Sequence, residues 1–260
     1  YYQGKPRSPR LPWLDRLKTS SNPMFQKIVS LMAEKKTNLA VSLDFDSWSQ
    51  IYEAAKTIGE HVIVIKIHWD IIKDFNIDKV KDLVKLSREL DFFIFEDRKF
   101  SEIGSIFQKQ YQGTGDISSW SHLVDFHLIA GPSNLQKYEE LYDPDTQGAL
   151  LVAQMSNHGN LLHDNYTQEV LKIAGNSRAV CGLICQQRLA GDNLLYLTPG
   201  ICLDRSSDGL DQRYRTVKEA IIRDGCDIVI VGRGITQNNN ILESCLRYKN
   251  LAWESYLECL

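Results

Sequence analysis

From residue 38 onward the chain alternates short apolar runs with stretches that place an apolar residue every three or four positions. Eight runs have strand length: 38–45, 62–69, 92–97, 123–130, 149–155, 179–186, 194–200 and 227–234. Their near-continuous hydrophobicity suits strands of a parallel sheet buried on both faces. Amphipathic stretches at 24–35, 48–59, 78–90, 101–111, 135–142, 165–174 and 214–224 predict helices, and a final amphipathic run ends in 248–260. Eight strands, most of them separated by helices, predict an α/β fold, a (β/α)8 TIM barrel. One gap, 187–193, is too short for a crossover helix. Residues 1–23, rich in Pro, Arg and Ser, read as an N-terminal arm or linker, leaving 24–260 as a single barrel domain.

The polar residues at the run ends then share an address. Phe92-Phe93-Ile94-Phe95 ends abruptly in Glu96-Asp97-Arg98-Lys99, with Glu102 three residues further on. Such charges are either surface ion pairs on a solvated turn or chemistry held at the carboxyl end of a parallel strand. Asp44 ends the first run, Lys66 and His68 the second, Asp97 and Lys99 the third, and Ser156 follows the fifth. Thr198-Pro199-Gly200 closes the seventh run and Gly232-Arg233-Gly234 the eighth. All fall on one rim of a barrel, the rim that carries active sites. Gly232 and Arg233 read as an anion site, offering backbone N–H groups beside a guanidinium. The polar stretch 198–214, with Asp204, Ser206, Ser207, Asp208 and Gly209, reads as a lid, and Gln212 and Tyr214 at its end face the same anion. Lys66, Asp97, Lys99 and Glu102 alternate in sign, which fixes protonation states and makes a directional field. A structural ion-pair cluster is the competing reading.

Charge and composition remove other classes. The net charge is −3 with no basic stripe, so nucleic-acid binding lacks support. No apolar run approaches the roughly 20 residues of a membrane span, and the polar, basic start lacks a signal-peptide core. The six cysteines form no C-x-x-C pair and lie in or beside apolar runs, which favours reduced core thiols and a cytoplasmic protein. The six histidines have no metal-ligand spacing, so no metal is expected. A start at Tyr1 without Met fits a fragment of a longer protein.

Ser42-Leu43-Asp44, Lys66-Ile67-His68-Trp69-Asp70-Ile71, the 95–104 segment, Leu197-Thr198-Pro199-Gly200, and the stretches 211–216 and 227–234 together resemble the orotidine 5′-phosphate decarboxylase family. The similarity runs from about residue 22 to the tail Ala252-Trp253-Glu254-Ser255-Tyr256-Leu257. It is greatest to the eukaryotic type, including the carboxy-terminal half of bifunctional uridine monophosphate synthase. The resemblance implies a cofactor-free homodimer with shared active sites. The implied reaction turns orotidine 5′-monophosphate into uridine 5′-monophosphate in de novo pyrimidine synthesis. It implies an orotate phosphoribosyltransferase domain as a possible upstream fusion. It assigns Asp44 and Lys66, with Ser42 and His68 alongside, to the ribose, and Asp97 to the leaving carboxylate. Lys99 would protonate the carbanion, Ser156 would read the pyrimidine, and Gln212, Tyr214, Gly232 and Arg233 would hold the phosphate. Glu102 and Ile106 stand where the family has Asp and Thr, residues offered across the dimer interface, and Gln154 and Arg213 also depart. These departures leave a second reading open, a catalytically weak or inactive nucleotide-binding paralogue. A third is a metal-dependent relative acting on sugar phosphates.

Overall fold

A computed structural model describes residues 10–203 and 212–260. Eight parallel strands close into a barrel: β1 (Leu39–Ser42), β2 (Val64–Ile67), β3 (Phe93–Phe100), β4 (Leu123–Phe126), β5 (Gly148–Val152), β6 (Val180–Ile184), β7 (Leu195–Thr198) and, after the short pair β8 (Ile201–Cys202) and β9 (Arg215–Thr216), β10 (Ile228–Val231). β10 pairs with both β7 and β1, which seals the ring. Each of the eight expected runs overlaps one of these strands, with β3 running on to Phe100 and β5 starting one residue early at Gly148. Helices α1 (Trp13–Leu17), α2 (Pro23–Lys35), α3 (Trp48–Ile58), α4 (Ile77–Leu90), α5 (Gly104–Tyr111), α6 (Ser133–Leu141), α7 (Asp164–Asn176), α8 (Arg233–Thr236) and α9 (Ile241–Leu257) complete the fold. The link from β6 to β7 carries no helix, as its length requires.

The helix expected over 214–224 is a correction. Residues 215–216 instead form β9, paired to β8, and helical structure begins only after Thr216. The cause is a reciprocal cap: Thr216 donates its N–H to Glu219 Oε2 at 2.9 Å, and Glu219 donates its N–H to Thr216 Oγ1 at 3.2 Å. This Thr-x-x-Glu box sets the first turn where it stands. A five-residue π-helical turn, Glu219–Arg223, follows.

Strand alternation divides the core into two layers. Leu39, Val41, Ile65, Ile67, Ile94, Val124, Leu151, Val229 and Val231 face the helices. Ala40, Val64, Phe95, Leu123, Leu150, Val152, Leu197, Ile228 and Ile230 fill the barrel interior together with Met24, Phe25, Ile28, Val29 and Met32 of α2. Thus α2 stoppers the amino-terminal end of the barrel. Asn22 caps it by accepting the Phe25 N–H at 2.9 Å, with Pro23 opening the first turn.

Within the stretch expected as an arm, residues 10–22 pack onto that same end. Arg10 and Arg16 are buried and converge on Asp227 at the start of the last barrel strand. Arg10 Nη1 lies 2.8 Å from Asp227 Oδ1, and Arg16 contributes bonds of 2.6 and 2.8 Å to the two carboxylate oxygens. Arg16 also donates to Tyr256 Oη and to the Leu194 carbonyl. Trp13 stacks on Trp253 and Tyr256 with centroids 5.3 and 4.7 Å apart. Burial pushes the Asp227 carboxyl up, but the two guanidiniums outweigh it and hold it below the ordinary range.

Asp227→Ala should therefore destabilise the barrel by about 3–5 kcal/mol, because it leaves two buried guanidiniums unpaired. Because the native carboxyl titrates below its unfolded value, the Asp227 contribution is complete above the unfolded pKa and is lost as pH falls through the native one. Urea unfolding of both proteins at pH 7 and in steps towards pH 3 measures this: the gap should shrink with acid, and an unchanged gap contradicts the assignment.

Candidate active site

The inward parity of the barrel, continued past the apolar layers, produces the rim. On β1, Ala40 is followed on the same face by Ser42 and Asp44; on β2, Val64 by Lys66 and His68. On β3, Phe95 is followed by Asp97, on β5 Val152 by Gln154 and Ser156, and on β10 Ile230 by Gly232. The expected residues therefore converge because strands alternate, with one irregularity that matters. Between β3 and β4 the pairing jumps from Glu96↔Val124 to Phe100↔Phe126. Asp97, Arg98 and Lys99 thus bulge against the single residue Asp125. Lys99 takes a left-handed backbone at φ 49°, which costs a residue with a Cβ on the order of 1 kcal/mol. The bulge turns both Asp97 and Lys99 into the site.

Asp97 is the hub. Its Oδ2 accepts Lys66 Nζ at 2.7 Å and its Oδ1 accepts Lys99 Nζ at 2.5 Å, while its side chain is 4% exposed. Burial alone would raise it, but Lys66, contact with the Asp125 carboxyl, Lys99 and His68 together hold it well below the usual carboxylate range. Lys66 shows the mirror case: burial lowers it, yet Asp97 and Asp44 leave it raised and charged. His68 lies 3.7 Å from Asp44 and 3.5 Å from Asp97, and burial keeps its imidazole below its ordinary value despite both carboxylates. Ser42 donates to Asp44 Oδ1 at 2.8 Å. Behind the rim, buried Glu96 accepts the Trp69 N–H on both oxygens at 3.2 and 3.0 Å, which fixes the turn that presents His68.

The anion side is assembled from three loops. Arg233 Nη2 donates to Tyr214 Oη at 2.8 Å, so guanidinium and phenol already adjoin. A Cβ on Gly232 would stand 3.7 Å from Ser42 Cβ and 3.8 Å from Asp44 Oδ2, so its backbone borders the β1 residues. Gln212 Nε2 donates to Ser156 Oγ at 2.7 Å, tying the end of the expected lid to the end of β5. Asp204, Ser206, Ser207, Asp208 and Gly209 lie outside the described residues.

Glu102 does not join this group within one chain. It is exposed in the turn before α5 and has no hydrogen bond or ion pair with another described residue. Within one chain it stands apart from Lys66, Asp97 and Lys99, because the bulge turns inward only as far as Lys99; the resemblance places it across a dimer interface. Ile106 is likewise exposed, on α5. Gln154 accepts the Gln186 N–H at 2.9 Å. Asp125 and His127 were missed by sequence reasoning. Both continue the inward parity of Leu123 on β4, a signal that was present in the chain. Asp125 accepts the Lys99 N–H at 2.8 Å, and His127 is held below its ordinary value by burial and then by the Lys99 charge.

Residues 37–248 match the model of the orotidine 5′-phosphate decarboxylase / HUMPS family. An orotidine 5′-phosphate decarboxylase of Rhizopus oryzae is 37% identical, covering 96% of this chain and 96% of its own. One of Schizosaccharomyces pombe is 39% identical over 94% of this chain and 95% of its own. The uridine 5′-monophosphate synthase of Bos taurus is 39% identical over 92% of this chain but only 51% of its own length, so the chain spans about half of that protein. In fold, the chain is similar to the crystal structure of orotidine 5′-phosphate decarboxylase from Pyrococcus horikoshii, with TM-score 0.63, 20% identity, and 84% and 99% of the two chains covered. The orotidine 5′-monophosphate decarboxylase structure from Methanocaldococcus jannaschii gives TM-score 0.62 at 18% identity over 82% and 98%.

Gly200 offers a local test of the rim. Its φ is +73°, and a Cβ there would stand 2.3 Å from Gln212 Nε2 and 2.7 Å from the Arg213 carbonyl. Gly200→Ala should cost about 1–3 kcal/mol and break the Gln212–Ser156 bond. Thermal unfolding reads the first effect, and a crystal structure of the variant reads the second.

Proposed function

The chain belongs to the orotidine 5′-phosphate decarboxylase / HUMPS family, and we infer that it converts orotidine 5′-monophosphate to uridine 5′-monophosphate, a carbon–carbon lyase step of pyrimidine synthesis. The observation that carries the reading is the Asp97 carboxylate held between two ammoniums. The residue roles are our proposal. Arg233, Tyr214, Gln212 and the Gly232 backbone grip the nucleotide phosphate, far from the reacting carbon. Asp44 and Lys66, with Ser42 and His68, take the ribose hydroxyls, and Ser156 reads the pyrimidine. Binding energy from these remote contacts presses the substrate carboxylate towards the ionised Asp97.

Breaking the ring-carbon–carboxylate bond releases carbon dioxide and leaves the electron pair on the ring. The Lys99 ammonium stabilises that charge and then donates its proton to the carbon, giving the C–H bond of the product. Lys99 Nζ becomes neutral and regains a proton from solvent, to which its side chain is 30% exposed. The intact Asp97 bridge argues for turnover over the inactive alternative, because a phosphate-binding relic has no need of two ammoniums on a buried carboxylate.

A homodimer fits the exposed apolar residues. Ile71, Ile103, Ile106 and Ile129 are 42%, 52%, 38% and 72% exposed, and they follow the carboxyl ends of the adjacent strands β2, β3 and β4. Pairing there would cover them and bring Glu102 towards the neighbouring rim. We place the protein in the cytoplasm: its six cysteines are free and buried, and no described helix is long and apolar enough to cross a membrane. The half-length match to the synthase of Bos taurus supports a fused orotate phosphoribosyltransferase partner as a possible arrangement.

Purified protein should release carbon dioxide from orotidine 5′-monophosphate with a chelator present, and a folded, inactive protein would reject the reading. Lys99→Ala should lower kcat by about 10²–10⁴-fold or more. Arg233→Ala should weaken binding of uridine 5′-monophosphate by about 10–100-fold, the worth of a charge-assisted bond. Calorimetry separates the two, since Lys99→Ala should bind the product with nearly unchanged affinity. Sedimentation should give twice the chain mass.

A further inference from the structure

We propose that Asp125 is a positioning residue of the rim: its Oδ1 holds the left-handed backbone of Lys99 while its Oδ2 braces the Asp97 carboxylate. The inference rests on the decarboxylase reading above. It begins with the bulge. Where β3 carries three residues against the single Asp125, the strand ladder offers no carbonyl to the Lys99 N–H. Asp125 Oδ1 supplies the missing acceptor at 2.8 Å. Lys99 would otherwise hold an unfavourable φ with an unpaired N–H, and its ammonium would not be aimed. The carboxyl of Asp125 therefore sets the conformation from which the proton is delivered.

The second oxygen decides the protonation state. Asp125 is 0% exposed, and among the described residues its Oδ2 meets no N–H or O–H donor. The group it can bond is the Asp97 carboxylate, and two carboxylates attract only when one carries the proton. The ionisable groups that influence Asp125 include Asp97 and Lys99 of the bulge, Lys66 on β2 and Glu96 on β3. Two ammoniums already sit on Asp97, so Asp97 is the ionised partner and the proton belongs to Asp125. Burial first, and then the Asp97 charge, push Asp125 well above the ordinary carboxylate range. As a neutral acid, Asp125 donates Oδ2–H to Asp97. This leaves Lys66, Asp97 and Lys99 with one net positive charge to meet an anionic substrate. An ionised Asp125 would cancel it.

Asp125→Asn reproduces the neutral acid, with an amide oxygen for the Lys99 N–H and an amide N–H for Asp97, whereas Asp125→Ala removes both contacts. Wild type is assayed first for carbon dioxide release. The infrared spectrum of wild type minus Asp125→Asn should then show the C=O stretch of a protonated carboxylic acid, lost in the variant. We expect Asp125→Ala to lower kcat by at least about 100-fold with KM changed by less than about threefold, and Asp125→Asn to stay within about tenfold of wild-type kcat. Three results would each overturn the proposal: no acid band lost in the Asn variant, an Asn variant as impaired as Ala, or a fully active Ala variant. If Asp125→Ala does not fold, the infrared band and the kcat of the near-isosteric Asn variant decide. A wild type that binds uridine 5′-monophosphate without turnover rejects the decarboxylase reading, and the infrared comparison still judges Asp125.

Discussion

Closing a parallel sheet on itself forces every second residue of each strand into one shared interior, and the rest of this structure depends on that constraint. Over two layers the inward positions are Ala, Val, Ile, Leu and Phe, packed against α2. One step further along the same strands they become Ser42, Lys66, Asp97, Asp125 and Gln154. The change from apolar to polar comes towards the carboxyl ends of these strands, so the site is the place where a single interior runs out of hydrophobic residues. A charge placed there by one strand meets charges placed by its neighbours without any loop having to fold precisely. This is why residues far apart in the chain reach within hydrogen-bond distance of one carboxylate.

The constraint also explains why β3 must break its own regularity. Perfect alternation would face only every second side chain inward, with Lys99 one residue-pair higher than Asp97 on a straight strand. The bulge shortens that separation and lets both ends of the Asp97 carboxylate be filled from the same neighbourhood. It leaves behind a left-handed Lys99 and a backbone N–H with no ladder partner. Buried backbone donors without partners are rare because each costs about as much as a lost hydrogen bond. The acceptor comes from β4, so the charge cluster and the backbone irregularity are one feature.

Much of this was legible in the chain. The eight apolar runs located the strands because buried parallel strands are apolar on both faces, and the polar residues at their ends located the rim. The Thr216–Glu219 cap was not seen because amphipathic periodicity over 214–224 continues across a boundary that one side chain sets. Asp125 was passed over because a single carboxylate inside an apolar run looks like a strand end, although its parity with Leu123 points inward. Glu102 was grouped with Lys66, Asp97 and Lys99 on charge alternation, a pattern that does not say whether a charge reaches its own rim or a neighbouring subunit's. Arg10 and Arg16 sit in a Pro, Arg and Ser-rich stretch whose composition reads as solvated. Their partner Asp227 lies 217 and 211 residues away, beyond the reach of any local pattern.

The two ends of the barrel use the same electrostatic device for opposite purposes. Each holds a buried carboxylate between two cations: Asp227 between Arg10 and Arg16, Asp97 between Lys66 and Lys99. At the closed end the cations are guanidiniums, which do not give up a proton and which bond further to Tyr256, Leu194, Asp192 and Ile221. These bonds tie the guanidiniums to buried neighbours, and the cluster can only hold. At the open end the cations are ammoniums, and Lys99 bonds only the Asp97 carboxylate through its side chain among the described residues. It keeps spare N–H bonds and partial exposure, which suit the proton donor we propose it to be. The carboxylate it faces is kept ionised by its neighbours and cannot take that proton back at neutral pH. Replacing arginine by lysine, and closed coordination by open, is the difference between a rivet and the proton donor proposed for Lys99. The barrel supplies both by placing the same charge pattern at its two mouths.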